Sequence, residues 1–185
     1  MQQKITRITL VMYLTLIFEI LTSFASYAAT PREIDANVDE SLARFTKEVK
    51  GAQEFLKAAK GVLVIPKIIQ VGFYVGGQYA EGALRVDGKT VAYYNIVSAS
   101  FGYQIGVQQK DIILVFMDPA ALEKFRTSNG WQAGVNGTVT VVNVGAEGSI
   151  DTRKMKEPII GFVFDQTGLM AGVSIEGTKF TKLKK

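Results

Sequence analysis

The sequence contains neither cysteine nor histidine, and these two absences exclude several kinds of chemistry. Without cysteine the chain can form no disulfide, and it cannot carry the lipid of a bacterial lipoprotein, which is attached to a cysteine at the cleavage site. Without histidine, the Ser-His-Asp and Cys-His nucleophile systems and the usual zinc ligand sets are also excluded. An enzyme with this sequence would need carboxylate, Ser or Lys chemistry. We expect a protein that is not an enzyme and that uses no metal and no cofactor.

Proline is also scarce, with 4 residues against 18 glycines, and neither sign of charge dominates the chain. The 185 residues are 48% hydrophobic and 21% charged, which is typical of one globular domain with a substantial core. The net charge of +4 permits binding to anionic surfaces, nucleic acid included. The export signal described next argues against nucleic acid as a partner.

Residues 1–28 have the pattern of a secretory signal peptide. Lys4 and Arg7 precede an apolar run from Ile8 to Phe18, and Ser26-Tyr27-Ala28 is a small-x-small cleavage site. A retained membrane anchor is the alternative, but the uncharged run is short for a span of about 20 residues. We expect cleavage, a single domain at 29–185, and a periplasmic or exported protein that can associate with a membrane.

Apolar residues recur at steps of three and four from Glu33 to Lys60, which predicts one long helix ending at Gly61. The residues on the apolar face are Val38, Leu42, Phe45, Val49, Ala52, Leu56 and Ala59. Two interpretations follow for this helix. It packs on a sheet, which the modest size of the apolar face favours, or it is a basic amphipathic helix that can also lie on a membrane.

Most of the remaining chain is typical of strands joined by short turns. The pattern predicts a strand at Val62–Ile65, a turn at Pro66 and a bent strand from Phe73 onward. Asp87-Gly88 predicts a tight hairpin between Gln78–Val86 and Lys89–Ile96.

Asp111 to Met117 is a continuous apolar run, which predicts a fully buried strand. Asp118-Pro119 then starts a short helix that ends at Asn129-Gly130. Three further predictions follow in chain order: a bent strand over Gly134 to Glu147, a hairpin of Ile159–Phe164 with Leu169–Ile175 around residues 165–168, and a short basic tail.

These elements predict an α+β fold: a curved antiparallel β-sheet or partly closed barrel with one long N-terminal helix and one short inserted helix. Glycines four residues apart, as at 72/76 and 102/106, would lie on one face of a strand. We interpret this spacing as sheet curvature and close packing.

Five segments of the chain resemble the SYLF domain family, also described as the YSC-type actin-binding domain family. They are GVLVIPKIIQVGFYVGGQYAEGAL, YYNIVSASFGYQIGVQ, IILVFMDPAALEKF, GWQAGVNGTVTV and FVFDQTGLMAGVSIEG, in the order of the family. The resemblance implies a lipid-binding domain, since eukaryotic relatives bind phosphoinositide-rich membranes and some bind actin. An exported bacterial protein would not meet actin or abundant phosphoinositides, so we expect the anionic phospholipid of a bacterial envelope as the target.

In the family, membrane contact involves an amphipathic N-terminal helix and basic residues. The positions of similar character here are Val38, Leu42 and Phe45 for the apolar part, with Arg44, Lys47 and Lys50 for the basic part. The alternative function is a structural or stress-related envelope protein that acts through protein–protein contacts.

Overall fold

The structure is a computed structural model that describes residues 29–73, 75–101, 106–144, 152–168 and 175–185. The predicted signal peptide lies outside these residues. Three α-helices are α1 (Pro31–Glu48), α2 (Ala52–Ala58) and α3 (Pro119–Thr127), and a 3₁₀ turn spans Thr152–Lys156. The strands are β1 (Gly61–Phe73), β2 (Val75–Val86), β3 (Lys89–Phe101), β4 (Gly106–Phe116), β5 (Trp131–Gln132), β6 (Thr140–Asn143), β7 (Ile159–Gly168) and β8 (Lys179–Leu183).

The eight strands form one sheet in the order β5-β8-β3-β2-β1-β4-β7-β6. If this sheet were flat, its edge strands would be about 34 Å apart, at about 4.8 Å per strand. Only residues 133–139 join these two edges, β5 and β6. That connection reaches at most about 28 Å even when fully extended, so the sheet must curl. The α+β class and the curved sheet are confirmed.

The curl gives the sheet an inner and an outer face, each with its own apolar packing. The inner face and α3 form a continuous core that includes the large rings of Tyr94, Phe116, Phe125, Trp131 and Phe180. The rings of Phe125 and Trp131 meet edge to face with centroids 5.4 Å apart. Helices α1 and α2 cover part of the outer face.

The predicted single helix from Glu33 to Lys60 is wrong in its length, because it is two helices. The first ends at Glu48, and Gly51 adopts a φ of +93°, which breaks the helical path before α2 begins. Glycine reaches this conformation without the steric cost that a side chain would add. Gly61 is not a helix cap but the first residue of β1.

The predicted turn at Pro66 is also wrong, since β1 runs through it as one strand. The pairing of β1 with both of its neighbours shifts register here. The shift falls between Val64 and Ile69 in the pairing with β2, and between Ile65 and Ile68 in the pairing with β4. Proline lacks the N–H that a sheet ladder needs, so a bulge is where a central strand tolerates it. Lys67 follows with a φ of +52°.

Two local predictions are confirmed. Val86 pairs with Lys89, and both turn residues, Asp87 and Gly88, have positive φ values of 50° and 74°. The short inserted helix begins after Asp118, whose Oδ1 accepts a hydrogen bond from the backbone N of Ala120 at 3.1 Å.

The C-terminal predictions hold only in part. Of the strand expected over Gly134 to Glu147, residues 145–147 lie outside the described residues, and the described part forms a strand at β6. This strand pairs parallel with β7, whereas the other strand pairs of the described residues are antiparallel. Asp165 begins no turn, because β7 continues through it to Gly168; the expected partner Leu169–Ile175 falls largely outside the described residues. The predicted basic tail contains β8, which is paired with β3.

Candidate functional site

The six residues predicted to bind lipid separate into a buried set and an exposed set. Val38 and Phe45 are fully buried, Leu42 and Arg44 are partly buried, and Lys47 and Lys50 are exposed. Five of the six lie on α1 with the helical spacing that the sequence indicates, whereas Lys50 lies in the turn between α1 and α2. The apolar side of α1 faces the sheet. Lipid contact by these residues stays a prediction, and only the exposed set can make it without moving the helix.

Phe45 holds α1 against the outer face of the sheet. Its ring lies 5.1 Å from that of Phe162 and 5.2 Å from that of Phe164, centroid to centroid. Phe55 of α2 also contacts Phe162, edge to face, with ring centroids 5.2 Å apart. The same β7 ring therefore anchors both helices.

Arg44 takes part in a cluster of charges beneath α1. Asp111 of β4, whose side chain is fully buried, accepts hydrogen bonds from Ser41 Oγ at 2.6 Å, from the Arg44 guanidinium at 2.7 Å and from the backbone N of Lys67 at 2.8 Å. Arg44 also contacts Asp165 at 3.2 Å and Glu40 at 2.8 Å.

Burial alone would lower the pKa of Arg44, but the carboxylates around it outweigh burial and raise that pKa. Arg44 is therefore engaged in fixing α1 across β4 and β7. The sequence indicated no such role, because Asp111 lies in an apolar run and is 67 residues from Arg44.

Four lysines in or next to α1 and α2 form what we call the basic corner: Lys47, Lys50, Lys57 and Lys60. All four side chains are exposed, and none has an ion-pair partner in the part of the chain that the structure describes. Lys47 and Lys50 line an open depression of about 380 Å³ at the junction of the helices, together with Glu48 and Glu54.

Lys57 and Lys60 line a second depression, of about 410 Å³, between the helices and the β2–β3 hairpin. Leu42, Leu56 and Val62 provide its apolar surface. Two acidic residues, Asp39 and Asp87, also reach it, and Asp39 is paired with Arg85 at 2.8 Å. The arrangement offers positive charge beside apolar surface.

Three exposed apolar side chains lie side by side on the outer face, where the helices do not cover it. Ile69 pairs with Tyr79, and Tyr79 pairs with Val97, so the three form a row across β1, β2 and β3. Each is about half exposed, at 52%, 50% and 53%. We call this row the apolar stripe. The sequence alone does not reveal this stripe, because only the strand register brings the three residues together.

Within the described residues, no cluster of three or more acidic side chains is placed to hold a metal ion. The described helices are also too short or too polar to cross a bilayer.

A family model and several known proteins that resemble the chain all carry the name Ysc84 or YSC84-like. Residues 97–185 match the family model described as Ysc84, Las17-binding protein actin regulator. The chain is 30% identical over 134 residues to SH3 domain-containing YSC84-like protein 1 of Homo sapiens, and 28% identical over the same length to the protein of that name in Rattus norvegicus. These matches cover 69% of this chain, which spans about 38% of the length of those relatives. The resemblance to the SYLF family is confirmed over residues 97–185, which match the Ysc84 family model.

Proposed function

We propose that the protein is a non-enzymatic module that binds anionic phospholipid membranes through the basic corner. The observation that supports this function best is the exposure of Lys47, Lys50, Lys57 and Lys60 without carboxylate partners among the described residues. Basic side chains near an anionic membrane each contribute about 1 kcal/mol to binding. Leu42 and Leu56 beside Lys57 and Lys60 add apolar surface that can meet the lipid boundary.

This proposal differs from a simple amphipathic helix, in which the apolar face enters the lipid. Val38 and Phe45 are held in the core, so α1 would bind with its apolar side still on the sheet. The lysines of the basic corner then supply an electrostatic contact that needs no unfolding. Together with the predicted export signal, this favours the phospholipid of a bacterial envelope as the surface.

Co-sedimentation with vesicles tests the proposal. Wild type should sediment with vesicles rich in phosphatidylglycerol and not with neutral phosphatidylcholine vesicles. The double variant Lys47→Glu with Lys50→Glu should bind the anionic vesicles at least about thirtyfold more weakly, because two charges worth about 1 kcal/mol each are lost and reversed. The double variant Lys57→Glu with Lys60→Glu should show a similar loss of affinity for anionic vesicles.

Lys124→Glu with Lys182→Glu is the matched control, since it makes the same change of charge at exposed positions on α3 and β8. It should bind nearly as wild type does. An equal loss of vesicle binding in the control and in the corner variants would mean that binding depends only on the net charge of the protein. Unchanged binding by both corner variants, with the fold intact by circular dichroism, would exclude the basic corner as the lipid site.

A second candidate function, contact with another protein, is favoured by the apolar stripe. Exposed apolar residues in a contiguous row are more typical of an interaction surface than single exposed ones. The description of the family as an actin regulator also names a protein-binding role for its members. Tyr79→Ser should leave vesicle binding unchanged but weaken any saturable contact with actin filaments, measured by co-sedimentation. Filament binding by Tyr79→Ser equal to that of wild type would exclude the apolar stripe as an actin-binding surface.

A further inference from the structure

Three glutamines stand side by side on the inner face of the sheet, in a row that we call the glutamine layer. Gln108 of β4 pairs with Gln70 of β1, and Gln70 pairs with Gln78 of β2. Gln78 is 8% exposed and Gln108 is 2% exposed. Side chains opposite each other on neighbouring strands share one face, and this face is the one that also carries the inner apolar core.

A buried cation lies against this layer. Lys110 is 2% exposed and occupies the same face of β4 as Gln108, two residues away. Its Nζ donates to Gln70 Oε1 at 3.1 Å, and no carboxylate pairs with it in the described residues. Asp111, the nearest acid in the chain, points to the opposite face and is occupied by Ser41, Arg44 and Lys67.

Each of the two buried glutamines has one half of its amide unused. Gln78 Nε2 donates to Thr178 Oγ1 at 3.3 Å, and Gln108 Nε2 donates to Gln166 Oε1 at 3.4 Å. The Oε1 atoms of Gln78 and Gln108 are buried without a hydrogen-bond partner. A buried polar atom without a partner is unfavourable, so the two oxygens are suited to a ligand. The ammonium of Lys110, which has a neutral partner in Gln70 and no carboxylate, adds a third group.

The register also places glycines next to the layer. Two residues further along the same face, Gly72 pairs with both Gly76 and Gly106, and Gly76 pairs with Ser100. Three neighbouring strands thus place no side chain larger than a hydrogen in this row. Glycine in a strand marks a bend or a place where a ligand or another backbone approaches closely, and this row lies next to buried polar groups.

We propose that the glutamine layer and Lys110 form an internal binding site for a small hydroxylated oxyanion, of which glycerol phosphate is the simplest example. The ammonium of Lys110 supplies the charge that an anionic oxygen needs, and the oxygens of Gln78 and Gln108 accept from hydroxyl groups. The site is separate from the basic corner and does not depend on the membrane-binding proposal. The oxyanion could be a free solute or the head group of a lipid.

Isothermal titration calorimetry without vesicles tests the site on the full chain. Glycerol 3-phosphate should bind saturably to wild type. Lys110→Met should weaken binding about 10- to 100-fold, because a charge-assisted hydrogen bond is lost. Lys89→Met, at an exposed position, is the matched control and should bind as wild type does. Gln78→Leu tests the layer itself and should also weaken binding.

Two ligands separate the possible sources of the oxyanion. If monomeric dihexanoyl phosphatidylglycerol binds in a Lys110-dependent way and glycerol 3-phosphate does not, the ligand is a lipid head group. If both bind, a free solute is sufficient as the ligand. Absence of saturable binding by either ligand, or equal binding by folded Lys110→Met, overturns the proposal. The double variant Lys47→Glu with Lys50→Glu should still bind glycerol 3-phosphate even if it no longer binds anionic vesicles. Failure of one proposal is therefore distinguishable from failure of the other.

Discussion

At the scale of single residues, Phe45 shows how a residue of membrane-binding character can belong to the core. It is fully buried between Phe162 and Phe164. Phe45→Ala should lower the free energy of unfolding by about 3–5 kcal/mol, through lost transfer energy and the cavity left behind. Urea denaturation followed by circular dichroism measures this.

Lys47→Ala is the control for Phe45→Ala, two residues away and exposed, and should change stability by less than about 0.5 kcal/mol. A folded Phe45→Ala variant with wild-type stability and reduced vesicle binding would contradict the core assignment. It would place the ring in lipid instead.

Lys110 predicts a dependence of stability on pH. Burial lowers its pKa from the usual 10.5. Between the lowered pKa and 10.5 the unfolded chain holds a proton that the folded chain has released, so this residue makes the free energy of unfolding rise with pH through that window. Below the window the charged form is disfavoured in the fold, and Lys110→Met should be more stable than wild type by at least about 1 kcal/mol.

The difference in free energy of unfolding between Lys110→Met and wild type should shrink as the pH is raised from 7 towards 10.5. Chemical denaturation at a series of pH values measures it. Lys89→Met corrects for general effects of alkaline pH. A difference that grows with pH, or a variant less stable than wild type at pH 7, would mean that Lys110 has a stabilising counter-charge.

At the scale of elements, the β2–β3 hairpin depends on one turn. Gly88 has a φ of +74°, and an added Cβ would meet no atom within 4 Å. Any loss of stability from a side chain at this position therefore comes from backbone conformation and not from a clash. Gly88→Val should lower the free energy of unfolding by about 1–3 kcal/mol.

Gly88→Asn is the matched variant, because asparagine tolerates positive φ far better than a β-branched residue does. It should lose clearly less stability than Gly88→Val in thermal denaturation. Equal losses from valine and asparagine would show that backbone conformation is not the cause.

At the scale of the whole molecule, the proposed location depends on the segment before the domain. We predict that mass spectrometry of the protein from its native host finds a mature N-terminus at Ala29 or Thr30, since small residues precede that bond. A mature chain would lose Lys4, Arg7 and Glu19, so its net charge falls from +4 to +3. Intact Met1 in a membrane fraction would replace cleavage with a retained anchor.

Features set by neighbouring residues were predictable from the sequence alone. The Asp87-Gly88 turn, the Asp118 cap with Pro119 and the apolar face of the first helix each depend on residues within about one turn of one another. Local φ preferences, capping and helical periodicity act over that distance whatever the rest of the chain does. The α+β class followed because many such local signals agreed.

Only the tertiary structure decided which polar residues meet. Asp111 contacts Ser41 and Arg44 across 70 and 67 positions, and the glutamine layer depends on the register of three strands. The bulge at Pro66 was mistaken for a turn because proline is typical of both. Only the pairing of β1 with a strand on each side distinguishes a bulge from a turn. Pairing and register are set by the packing of distant segments, and a shift of one residue reverses the face of every side chain. The sequence therefore determined the kinds of element, and the fold determined the sites between them.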